Sequence, residues 1–280
     1  MSNFFRRTLT GIWIVLFILG GFWLHPITFF ITGLILLAGT QYEYYLMIRN
    51  TGVKPQMITG IMTGLSAYIL STLIASGLLP YNSFLVLIPI ISVIMVIELY
   101  RKQEKPFDSL AHTFFSVLYT AVPFSMFPFS AYSHTGIDSI LAHSSIEFSP
   151  GIVLGFFILL WANDTGAYLI GISLGRHRLL ERISPKKSWE GFFGGLVIAA
   201  AIALLLSGWL GVLDRKGWVI VSVIVSIAGT YGDLIESMLK RSIGVKDSGS
   251  IMPGHGGFLD RFDSVIISFP LVYLYILLFG

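Results

Sequence analysis

The chain contains no cysteine, so a disulfide framework, a Cys-ligated zinc and a thiol nucleophile are all excluded. Charge is scarce as well: Asp, Glu, Lys and Arg make up 12% of the 280 residues, against roughly 25% in an average soluble domain. A soluble fold of this length cannot hide 55% hydrophobic residues behind so little polar surface. Walker A, G-x-G-x-x-G and H-E-x-x-H motifs are absent too. P-loop and Rossmann nucleotide sites and zincin chemistry therefore have no support. No long repeat, low-complexity tract or linker interrupts the chain.

Long apolar runs are what the sequence does have. They lie at 8–24, 26–47, 58–79, 84–100, 109–131, 148–172, 192–212, 217–236 and 264–279, and they predict about nine transmembrane helices. At about 20 residues each these would use about 180 residues, which leaves no room for a separate soluble domain. The expected fold is an all-α polytopic integral membrane protein forming one integrated unit. Residues 1–145 would supply about five spans. Residues 146–280 would form the catalytic region, with cytosolic loops at 173–191 and 237–263. Arg6 and Arg7 precede the first run as in a signal peptide, but Gly21-Phe22-Trp23-Leu24-His25-Pro26 offers no small-residue cleavage site. An uncleaved first span is therefore expected. With the N-terminus in the cytosol and the C-terminus outside, sixteen of the eighteen Lys and Arg residues fall on the cytosolic side. Only Arg215 and Lys216 lie opposite, as the positive-inside rule requires.

The acids share this asymmetry. Glu43, Glu98, Asp164, Asp233 and Glu236 lie inside apolar runs or at their cytosolic ends. A charge in a bilayer is costly unless it faces a wet cavity or a partner, so five such acids suggest a polar cavity open to the cytosol. Glu43 and Glu98 stand near helix ends, where pairing with a nearby Arg or Lys or reaching the interface is equally open. Asp164 is mid-span in Trp161-Ala162-Asn163-Asp164-Thr165-Gly166-Ala167-Tyr168 and has no adjacent base.

The richest stretch runs from Tyr231 to Ser264. Asp233 and Glu236 share a helix face at a spacing of three, which Lys240 continues, and Asp260 and Asp263 repeat that spacing at the start of the last span. Four carboxylates on consecutive helices can converge, and their repulsion would be resolved by a hard divalent cation. Oxygen-only ligands favour Mg²⁺. Between the pairs lie Gly244, Gly249, Gly254, Gly256 and Gly257, which let backbone N–H groups approach an anion. Lys240, Arg241, Lys246, His255 and Arg261 surround them. Cations and backbone donors beside metal-binding carboxylates are what a nucleoside triphosphate requires. The preceding loop adds Ser184-Pro185-Lys186-Lys187-Ser188-Trp189-Glu190-Gly191. There Pro185 is expected to enter a helix whose N-terminus, with Lys186, Lys187 and Ser188, would clamp phosphate.

The run Ser237, Lys240-Arg241, Lys246-Asp247, Gly249, Pro253, His255-Gly256-Gly257, Asp260-Arg261 and Asp263 resembles the signature of the bacterial phosphatidate cytidylyltransferases, the CDP-diacylglycerol synthases. Met252 replaces a more usual aliphatic residue. The 163–165 and 184–191 segments resemble the family too, whereas the first 145 residues match it only in kind. The resemblance implies an inner-membrane transferase that converts CTP and phosphatidic acid to CDP-diacylglycerol and pyrophosphate. It also implies a Mg²⁺ requirement, a second cation such as K⁺, a homodimer, and no nucleic-acid partner. By the resemblance Asp233 and Asp260 match the metal site. Glu236 and Asp263 would complete or orient the metal shell, and Asp247 would do the same or pair with Lys246. Lys240, Arg241, Lys246 and Arg261 would neutralise the departing pyrophosphate. His255 would contact a phosphate or pin its turn, Gly256 and Gly257 would offer backbone donors, and Asp164 would line the cavity. Two other readings remain: a CTP-dependent transferase or kinase acting on another lipid, and a cation-coupled transporter. A transporter would favour internal repeats and midplane acids, whereas here the acids gather with a basic, glycine-rich loop.

Overall fold

The architecture comes from a computed structural model that describes residues 3–132, 147–249 and 256–280, with side chains from residue 10 onward. Its helices are α1 (Asn3–Trp23), α2 (Pro26–Arg49), α3 (Met57–Ala75), α4 (Leu87–Arg101), α5 (Pro106–Ser116), α6 (Val122–Ala131), α7 (Gly151–Leu174), α8 (Trp189–Trp209), α9 (Arg215–Ser242) and α10 (Leu259–Phe279). Among the described residues, seven helical segments are long and apolar enough to cross a membrane, from Met57–Ala75 through Leu259–Phe279. The apolar part of α1, Thr10–Trp23, is shorter, and α2 interrupts its apolar run with Thr40, Gln41 and Glu43. The protein is an all-α, multi-pass membrane protein, and its chain divides into two compact units.

The first unit comprises Met1–Tyr132 and Ile243–Phe262. The start of α2 is written locally: His25 Nδ1 accepts the Ile27 N–H at 3.1 Å, Thr28 Oγ1 accepts the His25 N–H, also at 3.1 Å, and Pro26 supplies a preset first helical residue. Ile27, Ile31 and Ile35 repeat every four residues on the exposed side of α2, as a lipid-facing stripe should. Its opposite side buries Phe29, Leu36, Leu37, Gln41, Glu43, Tyr44 and Tyr45. Gly60 on α3 makes the notch that admits the Tyr45 ring, whose hydroxyl then donates to the Thr113 carbonyl at 3.0 Å. Glu98 on α4 takes Gln56 Nε2 at 2.6 Å and Arg101 Nη1 at 2.8 Å, and Arg101 reaches the Lys54 carbonyl and Ser109 Oγ. This buried acid thus has the nearby Arg that the sequence left open for it, and it ties α4 to the segments before α3 and in α5. A single π-turn, Val117–Ala121, joins α5 to α6. Pro123 follows within the first turn of α6, and its missing N–H cannot complete the regular ladder there.

The second unit comprises Ser133–Ser242 and Asp263–Gly280. Helices α7 and α8 meet across glycine: a Cβ at Gly191 would lie 2.7 Å from the Ala167 carbonyl, and one at Gly195 2.6 Å from that of Asn163. Only residues without a side chain allow backbones this close. Trp218 of α9 is fully buried with its ring over Gly155 of α7. The unexpected element lies between α7 and α8. Arg178–Leu180 (β1) and Ser184–Ser188 (β2) form an antiparallel two-stranded hairpin. Pro185, Lys186 and Lys187 therefore belong to a strand, not to the first turn of a helix. The helix starts only at Trp189, where Ser188 Oγ accepts the Gly191 N–H at 3.2 Å. The hairpin is shut at its base by the Glu190 carboxylate, which takes the backbone N–H groups of Arg176 and His177 and stands 2.6 Å from His177 Nδ1.

Candidate functional site

The second unit holds a cleft of about 270 Å³. One wall is α7, with Asn163, Asp164, Ala167, Tyr168 and Gly171; the hairpin adds Lys186, Lys187 and Ser188; α8 adds Gly191 and Phe192; and α9 adds Thr230 and Asp233. Asp164 lines this cleft from mid-helix. Asn163 beside it is buried, and its Oδ1 has no hydrogen-bond partner among the described residues.

Asp233 joins the cleft to an acidic cluster. Carboxylate oxygens of Asp233, Glu236 and Asp263 all lie within 4.8 Å of one another. Glu236 is fully buried and Asp263 is 7% exposed. The i,i+3 spacing puts Asp233 and Glu236 on one face of α9. Gly232 on the same helix lets the α10 backbone come close, since a Cβ there would lie 2.7 Å from the Asp263 carbonyl. Two lysines answer the cluster: Lys187 Nζ is 2.7 Å from Asp233 Oδ2, and Lys240 Nζ is 2.5 Å from Glu236 Oε2. Ser237 Oγ donates to Asp233 Oδ1 at 3.2 Å, and the Ser264 N–H to Asp263 Oδ1 at 2.6 Å. With all three acids ionised, these five charged side chains leave one negative charge in excess. Hard oxygen donors, close spacing and excess negative charge fit a hard divalent cation such as Mg²⁺.

Of the remaining expected residues, Arg241 belongs to the second unit, and the others lie in the first unit or outside the described residues. Asp260 accepts the Ser248 N–H at 3.2 Å on both oxygens and the Gly257 N–H at 3.0 Å on Oδ2. Gly256 has φ +83, and a Cβ on it would lie 2.8 Å from Asp260 Oδ2, so glycine is required there twice over. Lys246, Asp247 and Arg261 are exposed, as is Arg241 of the second unit. His255 lies outside the described residues. The sequence reading gave no role to Thr230, whose carbonyl accepts from Lys187 Nζ at 3.4 Å. Nor did it foresee Glu190 as the base of the hairpin; both connections depend on the strand that local pattern failed to announce. Gly171-Ile172-Ser173-Leu174-Gly175 has the spacing of a hydrolase nucleophile elbow, but Ser173 lies within α7 and donates to the Leu169 carbonyl at 2.7 Å. The strand–turn–helix context such a nucleophile needs is absent at that position.

An acidic cluster beside a lysine-lined cleft, carried on apolar helices, makes this unit the candidate site of a multi-pass membrane protein. The match to the cytidylyltransferase family runs over residues 5–279, and the chain belongs to that family. Phosphatidate cytidylyltransferases of Staphylococcus epidermidis, Staphylococcus haemolyticus and Staphylococcus aureus are each 37% identical to it over 172 residues. The aligned stretch is 58% of this chain and 66% of each of those proteins, just under two thirds of their length.

Proposed function

We propose that the protein is a CTP:phosphatidate cytidylyltransferase of the bacterial inner membrane, working at the cytosolic face with its N-terminus inside and its C-terminus outside across nine spans. An oxygen of the phosphatidic acid phosphate attacks the α-phosphorus of CTP. The new P–O bond forms as the bond from the α-phosphorus to the bridging oxygen breaks, and pyrophosphate leaves with that electron pair. The products are CDP-diacylglycerol and pyrophosphate. The observation that carries this reading is the three-carboxylate cluster opening on a basic cleft in a chain of this family.

The attacking phosphate is already largely ionised near neutral pH, because a phosphomonoester has its second pKa near about 6. No general base is needed, and the barrier is mutual repulsion between two polyanions. Asp233, Glu236 and Asp263 would hold Mg²⁺, which would supply positive charge to offset that of the phosphates. Lys186 and Lys187 attract phosphate into the cleft, and Lys187 holds the Asp233 carboxylate in place until the substrate arrives. Lys240 keeps Glu236 compensated in its buried position. Arg241, Lys246, Arg261, His255 and the N–H groups of Gly256 and Gly257 are the proposed partners of the triphosphate. Asp260 stays in the proposal as the acid that the sequence resemblance assigns to the metal, with Asp247 beside it. A K⁺ ion and a homodimer complete the proposal.

The test is direct. Purified protein in lipid nanodiscs is given labelled CTP, phosphatidic acid and Mg²⁺, and CDP-lipid and pyrophosphate are measured, with EDTA and other lipid phosphates as separate arms. Mg²⁺-dependent, EDTA-abolished product from phosphatidic acid supports the reading; product from another lipid phosphate alone moves the substrate assignment. Absence of product from any lipid overturns it. Asp260→Asn is made alongside, and near-normal turnover would remove Asp260 from the metal set.

A further inference from the structure

Glu43 stands outside the acidic cluster, yet it is fully buried on α2. Its Oε2 accepts the Ser248 hydroxyl at 3.1 Å and the Leu259 N–H at 3.0 Å, from residues 205 and 216 positions away in sequence. Ser248 extends the hold: it gives its N–H to the Asp260 carboxylate, and its Oγ accepts the Asp260 N–H at 3.3 Å. Two glycines press on the same Glu43 side chain. A Cβ on Gly249 would lie 2.6 Å from Oε1, and a Cβ on Gly257 would overlap Oε2. Gly249 and Gly257 are therefore both packed on one carboxylate, which also satisfies the first N–H of α10.

The chemistry explains why an acid occupies this place. Among the described residues no ion pair involves Glu43, so its charge is met by donors alone. A free N–H at a helix start carries partial positive charge and stabilises a carboxylate there. An apolar side chain of the same length would fill the space but would leave the Leu259 N–H and the Ser248 hydroxyl without their acceptor, a costly state for buried groups. The small residues at 249 and 257 are then the counterpart of the clamp, because any side chain there would push the carboxylate off its donors.

We infer that Glu43 is the positioning residue of the glycine-rich loop. By gripping Ser248 and the start of α10, it sets where Lys246, Gly256 and Gly257 present their charge and backbone donors to the triphosphate. Glu43 itself does not touch the substrate. The inference rests on the proposed reading of that loop as part of the CTP site, and its test separates the two.

Full-length wild type, Glu43→Ala and Glu43→Gln are compared in nanodiscs for KM and kcat toward each substrate and for amide hydrogen exchange over residues 248–260. Glu43→Ala is expected to raise the KM for CTP about tenfold while the KM for phosphatidic acid stays within about twofold. Glu43→Gln, whose amide oxygen still accepts both donors, should stay within about threefold of wild type. Gly249→Ala supplies a second line: it should cost about tenfold in kcat/KM for CTP in wild type and less than about twofold in the Glu43→Ala background, where the collision partner is gone. Exchange at 248–260 should rise in Glu43→Ala while other segments hold. An unchanged KM for CTP, additive effects of Gly249→Ala, or unchanged exchange would overturn the clamp. If Glu43→Ala fails to fold, Ser248→Ala carries the same KM and exchange comparison with only one hydroxyl removed. If wild type itself turns over no CTP, the reaction reading falls, and the exchange result alone decides the clamp.

Discussion

Buried carboxylates occur in both units of the chain, and the two units treat them in opposite ways. In the first, Glu43 and Glu98 each have their own donors: a hydroxyl and a helix N–H for one, an amide and a guanidinium for the other. In the second, half-exposed Asp233 and buried Glu236 and Asp263 are crowded within 4.8 Å, with two lysines beside them. Two donors converging on the Oε2 of each acid pin it to its neighbours in the fold. Crowded like charges raise the energy of the empty protein, because each disfavours ionisation of the next. The difference separates acids matched to nearby donors from acids whose crowding suits the cation proposed above, and it does so without reference to any relative.

Mutation can break that distinction. The largest effect is expected at the crowded acids: Asp263→Asn or Asp233→Asn should lower CDP-lipid formation by about 100-fold or more, while Glu98→Gln should stay within about threefold. Equal losses at Glu98 and Asp263 in the same turnover assay would erase the contrast. Stability should invert the order. Glu98→Ala leaves Arg101 and Gln56 facing a buried gap and should cost about 3 kcal/mol, read as a lowered unfolding midpoint in detergent. Asp263→Asn should leave that midpoint unchanged or raise it, since it relieves repulsion. A smaller effect is expected at Lys187→Gln. Without the ammonium on Asp233, the Mg²⁺ concentration for half-maximal rate should fall about threefold, in keeping with a half-exposed pair, while the KM for CTP rises. A Mg²⁺ titration that moves upward would show that Lys187 assists the metal instead of occupying its place. Least of all, His177→Ala should change turnover less than about twofold, because its pair with Glu190 is exposed at the base of the hairpin.

Much of this arrangement was legible in the sequence. Each of the nine apolar runs falls on a helical segment, because hydrocarbon leaves a spanning chain little choice but to satisfy its own backbone. The i,i+3 acids of α9 were equally visible, since helical spacing alone puts them on one face. Less visible were the partners of Asp260. Loop N–H groups hold Asp260, and those donors come from residues 248 and 257, where nothing local announces the contact. Glu43 was harder still: its partners lie more than two hundred residues downstream, so its sequence neighbours say only that an acid sits near a helix end. The hairpin escaped for another reason. Ser184-Pro185-Lys186-Lys187-Ser188 has no apolar alternation, and a proline before two lysines resembles a helix entrance more than a strand.

The glycine contact between α7 and α8 has one more consequence. Where Gly191 packs on the Ala167 carbonyl, part of the side of the cleft is made of polypeptide main chain. Side chains can swing between rotamers to admit a bulkier guest, but main chain in two packed helices cannot. This part of the cleft is a mould and not a glove. Its lysines can follow a ligand's charge, while its dimensions are cast before any ligand arrives.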